Sequence, residues 1–194
     1  MKYITKSIGG VLTIMMLLIF GLKACGPGEQ TDEANKLNDE AGVILEKEND
    51  LTYKSNELLD ELLGDNLTKA EDYKAYKEKN KSKFDELISL SGQIERLAAE
   101  SMDKYEQVLK LKLPEKYKEY TSIKIQEFKK RADGHKLVAP FIKEFLQTND
   151  VDKLIKVMED FNRQTADIAK EAAKLSEKAG QIAKDNPKLI RIKN

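Results

Sequence analysis

The sequence predicts an all-α fold: an antiparallel, up-down-up-down four-helix bundle with long helices. Three observations carry that expectation. The first is composition. Of 194 residues 35% are charged and 40% hydrophobic, with only four Pro and no Trp, and a chain rich in Lys, Glu, Leu and Ala favours helix and leaves little turn chemistry for strands. The apolar share is large enough for a core, so the charge does not imply disorder. The second is spacing: apolar residues recur three and four apart along four segments, which places each set on one helical face. The third is the shortness of the connections, which makes sequence neighbours antiparallel.

The first ladder runs Ala34, Leu37, Ala41, Ile44, Leu51, Leu58, Leu62, interrupted by Glu48 and Ser55. It predicts a helix over 31–63, ended at Gly64-Asp65-Asn66 by a residue tolerant of positive φ. The second helix is expected over 68–110. Thr68-Lys69-Ala70-Glu71 has capping-box spacing, Tyr73 and Tyr76 follow, and Phe84, Leu87, Ile94, Ala98, Tyr105 and Val108 form the stripe. The third, over 114–147, has Pro114 in its first turn and a stripe through Ile125, Phe128, Ala132, His135, Ala139, Ile142 and Leu146.

Pro140 falls inside that stripe. A proline there removes one N–H and strains the turn before it, at ~3 kcal/mol or more, so a kink is expected. It either opens a groove or lets the helix wrap the core, and the second use is the commoner. The fourth helix, 150–186, is the most regular. Asn149 or Asp150 caps it, and Asn186-Pro187 stops it. Residues 187–194 read as a tail, frayed or in weak contact with anionic lipid.

In this topology the helix 1–2 and 3–4 turns share one end, which gathers Leu58, Leu59, Leu62, Tyr73, Tyr76, Phe141, Phe145, Met158 and Phe161. The other end is lined by the alanines of helix 4, with Tyr105, Tyr117 and Tyr120 as filler. A ligand groove belongs at the bulkier end. Its candidate residues are Tyr73, Tyr76, Pro140, Phe141, Phe145 and Phe161, with the entrance near Pro140.

The N-terminus is of another kind. Met1-Lys2-Tyr3-Ile4-Thr5-Lys6 is short and basic, and an apolar stretch from Ile8 to Leu22 follows it. That stretch matches a signal-peptide core and is short for a spanning helix, which needs ~20 apolar residues. Leu22-Lys23-Ala24-Cys25 comes next and resembles the lipobox of bacterial lipoproteins, with a large aliphatic at −3 and a small residue at −1 before a cysteine. Lys23 departs from the pattern at its loosest position.

The resemblance covers the first 25 or so residues and implies no fold. It implies removal of residues 1–24, lipidation of Cys25 (diacylglyceryl and palmitate-type chains) and a tether over 25–30 before a body at 31–186. It also implies extracytoplasmic display on a bacterial membrane. Gly26 after the cysteine is compatible with an outer membrane, if the host has one. An uncleaved anchor, an unlipidated signal peptide with a free Cys25 and a buried cytosolic helix are the competing readings.

Lys and Arg number 34 and Asp and Glu 34. Loss of Lys2, Lys6 and Lys23 with the signal would leave a charge of about −3 on the body. Interleaved charges of that balance argue against nucleic acid as partner, because neutralising phosphates needs concentrated Lys and Arg. The partners expected are the membrane, through the lipid, and an envelope protein, with weak self-association.

His135 is the only histidine. Bundle metal sites draw several ligands from facing helices, so a structural, partly buried role is expected of it and no metal is assigned. No Cys-x-x-Cys-His, Gly-x-Ser-x-Gly or phosphate loop appears. No catalytic residue and no cofactor are therefore expected. The function expected is a non-catalytic helical binding or structural module, and the alternative is a receptor or carrier for a small apolar ligand.

Overall fold

The computed structural model describes residues 29–64 and 72–191. Leu22, Ala24, Cys25, the start of the tether, Asp65-Asn66 and the Thr68–Glu71 capping box lie outside the described residues. Among those described, six helices and no strand occur: α1 Glu29–Leu63, α2 Tyr73–Lys79, α3 Lys81–Leu109, α4 Glu115–Lys136, α5 Val138–Gln147 and α6 Val151–Asp185. The all-α expectation holds.

The first and fourth expected helices appear as α1 and α6, within two residues of their expected ends. Glu29 and Gln30, read as tether, already belong to α1. The second and third expected helices are each divided. At Asn80 the backbone leaves helical angles (φ −100°, ψ 10°). Its Nδ2 donates to the Tyr76 carbonyl at 2.9 Å, the local side-chain competition that makes Asn a poor helix interior. The helix resumes at once, with the N–H of Phe84 bonded to the Asn80 carbonyl.

The other division lies at Leu137, three residues before Pro140. Proline has no N–H to offer the Lys136 carbonyl, and its ring crowds that turn. The Leu137 N–H instead reaches back to Gly134 O at 3.3 Å, and regular bonding restarts with Phe141 N–H to Leu137 O at 3.1 Å. Pro140 itself is exposed.

The ends have local causes. Asp150 rather than Asn149 caps α6, its Oδ1 accepting from the Lys153 N–H at 3.1 Å. Pro114 stands one position before α4, as its N-cap with extended ψ of 151°. At Gly64 a Cβ would meet the Asp60 carbonyl oxygen at 2.4 Å. Close approach, not left-handed backbone, is what requires glycine there.

Side-chain pairs give the directions. Lys104–Glu40 at 2.6 Å and Lys54–Glu86 at 2.7 Å run α1 antiparallel to α3. Tyr105 against Tyr120 at 6.3 Å, with Ser91 Oγ donating to His135 O, does the same for α3 and α4. Lys130–Glu171 at 2.5 Å and Gly134 beside Ile168 set α4 antiparallel to α6. The α1–α3, α3–α4 and α4–α6 pairs pack closely along their lengths, and α1 and α6 do not. Each of those two carries a glycine, Gly42 or Gly180, with nothing within 4 Å of where a Cβ would stand.

Two apolar cores result. One gathers Leu58, Leu59 and Leu62 of α1, Phe84 and Leu87 of α3, Phe141, Ile142 and Phe145 of α5, and Leu154, Met158 and Phe161 of α6. Tyr73 and Tyr76 lie half-buried against it, so the expected gathering of large side chains is found. The other joins Ala34, Ala41, Ala179 and Ala183 to Tyr105, Tyr117, Tyr120 and Phe128. We call these the phenylalanine and tyrosine cores.

Candidate functional site

The six residues expected around a groove separate in the structure. Phe141 stacks on Phe161 with centroids 4.1 Å apart, and Phe145 lies 6.0 Å from Phe141 and 5.5 Å from Phe84. These rings fill the space between helices with one another. The Tyr76 hydroxyl donates to the Leu62 carbonyl at 2.9 Å, tying α2 to the end of α1. Lys77 crosses from α2 to bond the Thr148 carbonyl, with its ammonium 4.9 Å from the Phe145 ring centre. The charge thereby stands over the ring, a cation–π contact, and burial pushes the Lys77 ammonium's pKa down.

The concentration of chemistry lies elsewhere, between the two cores. Arg131 of α4 crosses to α1, where Nε stands 3.1 Å from Glu48 Oε1 and Nη2 donates to Asn49 Oδ1 at 3.1 Å. Glu48 is wholly buried and its two oxygens accept no well-aligned hydrogen bond; the Arg131 contact is close but poorly directed. Burial pushes the Glu48 pKa up, and Arg131 opposes that.

One and two turns before Arg131, Glu127 and Lys124 pair at 2.6 Å, both buried, with the Lys124 ammonium 5.0 Å from the Phe128 ring centre. Two acids and two bases thus neutralise one another inside the protein. Leaving any one of them unpaired would cost several kcal/mol. Their spacing on α4 (124, 127, 131) is the i, i+3, i+7 pattern of one face. That spacing by itself does not tell a buried charged face from a solvated one.

His135 extends this layer by one more turn. It is 4% exposed, and burial, with Arg131 nearby, holds its pKa down at about 4. Its Nδ1 has no partner. It also lines a void of about 20 Å³ between α1, α4 and α6 whose wall includes Ser55, Asn56, Leu59, Arg131, Gly134, Phe161 and Thr165. Phe161 is the one expected groove residue on that wall. Among the described residues no three His, Cys, Asp or Glu converge in a way that could hold a metal.

A second polar construction is the clasp on the C-terminal tail. Asn38 Oδ1 accepts from the hydroxyls of Tyr105 and Tyr120 at 2.9 and 3.0 Å, and its Nδ2 donates to the Arg191 carbonyl at 2.5 Å. Asn35 Oδ1 accepts from the Tyr117 hydroxyl at 3.0 Å and from the Arg191 N–H at 2.9 Å. Burial pushes the pKa of all three phenols up, so they serve as hydroxyl donors.

The tail from 187 to 191 is therefore docked, not frayed, and Ile190 is 2% exposed in the tyrosine core. Sequence reading missed this because Asn35 and Asn38 lie beside the apolar ladder and nothing local marks their partners. No helix among the described residues is long and apolar enough to cross a membrane. Comparison with known proteins returns no matching family model, no matching curated protein and no matching solved structure.

Proposed function

We propose that this chain is a lipid-anchored bacterial cell-envelope protein whose body is an up-down-up-down four-helix bundle acting as a non-catalytic binding or structural module. The observation that carries the reading is Leu22-Lys23-Ala24-Cys25 behind an apolar core, followed almost directly by α1 at Glu29. A lipid on Cys25 would sit beside the end of the body that also holds the docked tail. One acylated chain needs a short link to a body that stays in water, and Gly26-Pro27-Gly28 is such a link.

The interior favours the module over the small-ligand carrier. The phenylalanine rings are in mutual contact, and the void beside His135 is the size of one solvent molecule. The buried charges pair with one another, an arrangement that supports a structural role for them. An envelope protein partner and weak self-association belong to the same reading.

The test is detergent phase partition with mass spectrometry of the N-terminus, on wild type and Cys25→Ser. Wild type is expected in the detergent phase, beginning at an acylated Cys25, and the variant unprocessed at that site. A wild-type protein that starts at Met1 or carries no acyl mass removes the anchor from the proposal.

A further inference from the structure

Three helix pairs, α1–α3, α3–α4 and α4–α6, pack along their lengths, and α1 and α6 do not. One seam of the body is thus left without direct helix packing. Gly42 of α1 and Gly180 of α6 are half-buried, with nothing within 4 Å of where a Cβ would stand. At the tyrosine-core end the two helices are joined by the tail instead.

The tail is fastened differently on its two sides. On α6 it forms a tight turn: Asn186 Nδ2 donates to the Ile182 carbonyl at 2.8 Å, and the N–H groups of Leu189 and Ile190 both reach the Asn186 carbonyl at 3.0 Å. On α1 the hold passes through two side chains. Asn35 Nδ2 donates to Leu189 O at 3.4 Å, Asn38 Nδ2 to Arg191 O at 2.5 Å, and the Arg191 N–H to Asn35 Oδ1 at 2.9 Å. Ile190 is buried in the tyrosine core, with Leu189 packed against it. Hydrogen bonds exchanged with water bring only a modest net gain, and ordering the backbone of the tail opposes it. The α1 side of the join survives without the tail, because Asn35 and Asn38 keep their bonds from the hydroxyls of Tyr117, Tyr105 and Tyr120.

We propose that the tail over 187–191 is a releasable latch on the α1–α6 seam, and that its release parts α1 from α6 at the tyrosine-core end while the other three pairs stay packed. A segment held by a few directed bonds, beside helices packed along their lengths, is the kind of unit that opens before the rest of a fold. The same two helices, with α4, bound the space beside His135 further along, so the latch governs how far solvent reaches between them. The device does not depend on the lipid anchor.

Double electron–electron resonance on the full chain tests this, in a Cys25→Ser background with spin labels at the exposed positions Lys36→Cys of α1 and Lys184→Cys of α6. Ile190→Asp puts a carboxylate where the aliphatic side chain is buried, and is expected to shift that distance distribution to longer values. A control pair, Gln126→Cys of α4 with Lys184→Cys, is expected to stay as it is. Hydrogen exchange at Arg191 reads the latch itself: its amide should be protected in wild type and lose that protection in Ile190→Asp. Should Ile190→Asp not fold, Arg191→Pro decides, since it removes the N–H that Asn35 accepts and leaves Ile190 in place. An unchanged α1–α6 distribution in the deciding variant overturns the proposal, as does a control pair that moves equally or the failure of both variants to fold. So does an Arg191 amide that is unprotected in wild type or still protected in a folded Ile190→Asp.

Discussion

The phenylalanine and tyrosine cores are buried to the same degree and organised by different physics. In the first, Phe84, Phe141, Phe145 and Phe161 meet ring to ring, with Leu59 and Leu62 between helices. Among the rings themselves, shape alone selects one arrangement over another. In the second, three phenols and two amides close a hydrogen-bond network across α1, α3, α4 and the tail. There a wrong register leaves hydroxyls unpartnered in the interior. Burial is thus a matter of area in one core and of satisfaction in the other, and a charged layer with a histidine divides them.

The largest effect is expected in the phenylalanine core. Phe145→Ala removes a fully buried ring in contact with two others, and should lower unfolding stability by about 3–5 kcal/mol through lost transfer energy and the cavity left behind. Urea titration measures it. A cost below 1 kcal/mol would mean that the rings are not packed as described.

The dividing layer comes next, and its signature is pH. Burial, with Arg131 nearby, holds the folded His135 pKa at about 4, against the ordinary 6.5 of a solvated imidazole. Its contribution is full above 6.5 and falls as pH drops toward 4, because only the unfolded chain takes up the proton in that window. The loss amounts to about 3 kcal/mol. Glu48, raised by burial, acts oppositely: its cost applies above its folded pKa and is relieved on acidification. Wild type minus His135→Gln isolates the histidine. That difference should shrink between pH 7 and pH 4.5, and a flat one contradicts the buried, neutral imidazole.

The smallest effect of the three is expected at the clasp. Asn38→Ala strips the acceptor from the Tyr105 and Tyr120 hydroxyls and releases the Arg191 carbonyl, for about 2 kcal/mol. Combined with Phe145→Ala the two costs should add to within about 0.5 kcal/mol, as for sites without shared partners. A larger coupling would show that the two cores are one.

How much of this was readable in advance follows from the range of the interactions. The ends of α1 and α6, the kink ahead of Pro140 and the partition of large and small side chains all arise from spacing within one segment. Asn80 sits inside the polar run 77–83, between Tyr76 and Phe84, and nothing in that run sets its break apart from the Lys, Glu and Ser around it. The buried pair Glu48–Arg131 and the clasp through Asn35 and Asn38 depend on residues about 80 or more positions away, whereas Lys124 and Glu127 pair three residues apart and only their burial comes from other helices. A periodicity cannot report partners that arrive from another helix. His135 was expected to be partly buried from its position on the stripe, and it is 4% exposed.

Because Asn35 and Asn38 grip the strand of backbone ending at Arg191, the described path closes on itself like a loop of thread tied at one knot. The beginning of α1 and the last described residues stand side by side, so a short linker between them would span little distance. A circular permutant joined there and opened at the Asn149 turn would keep every interhelical contact described above.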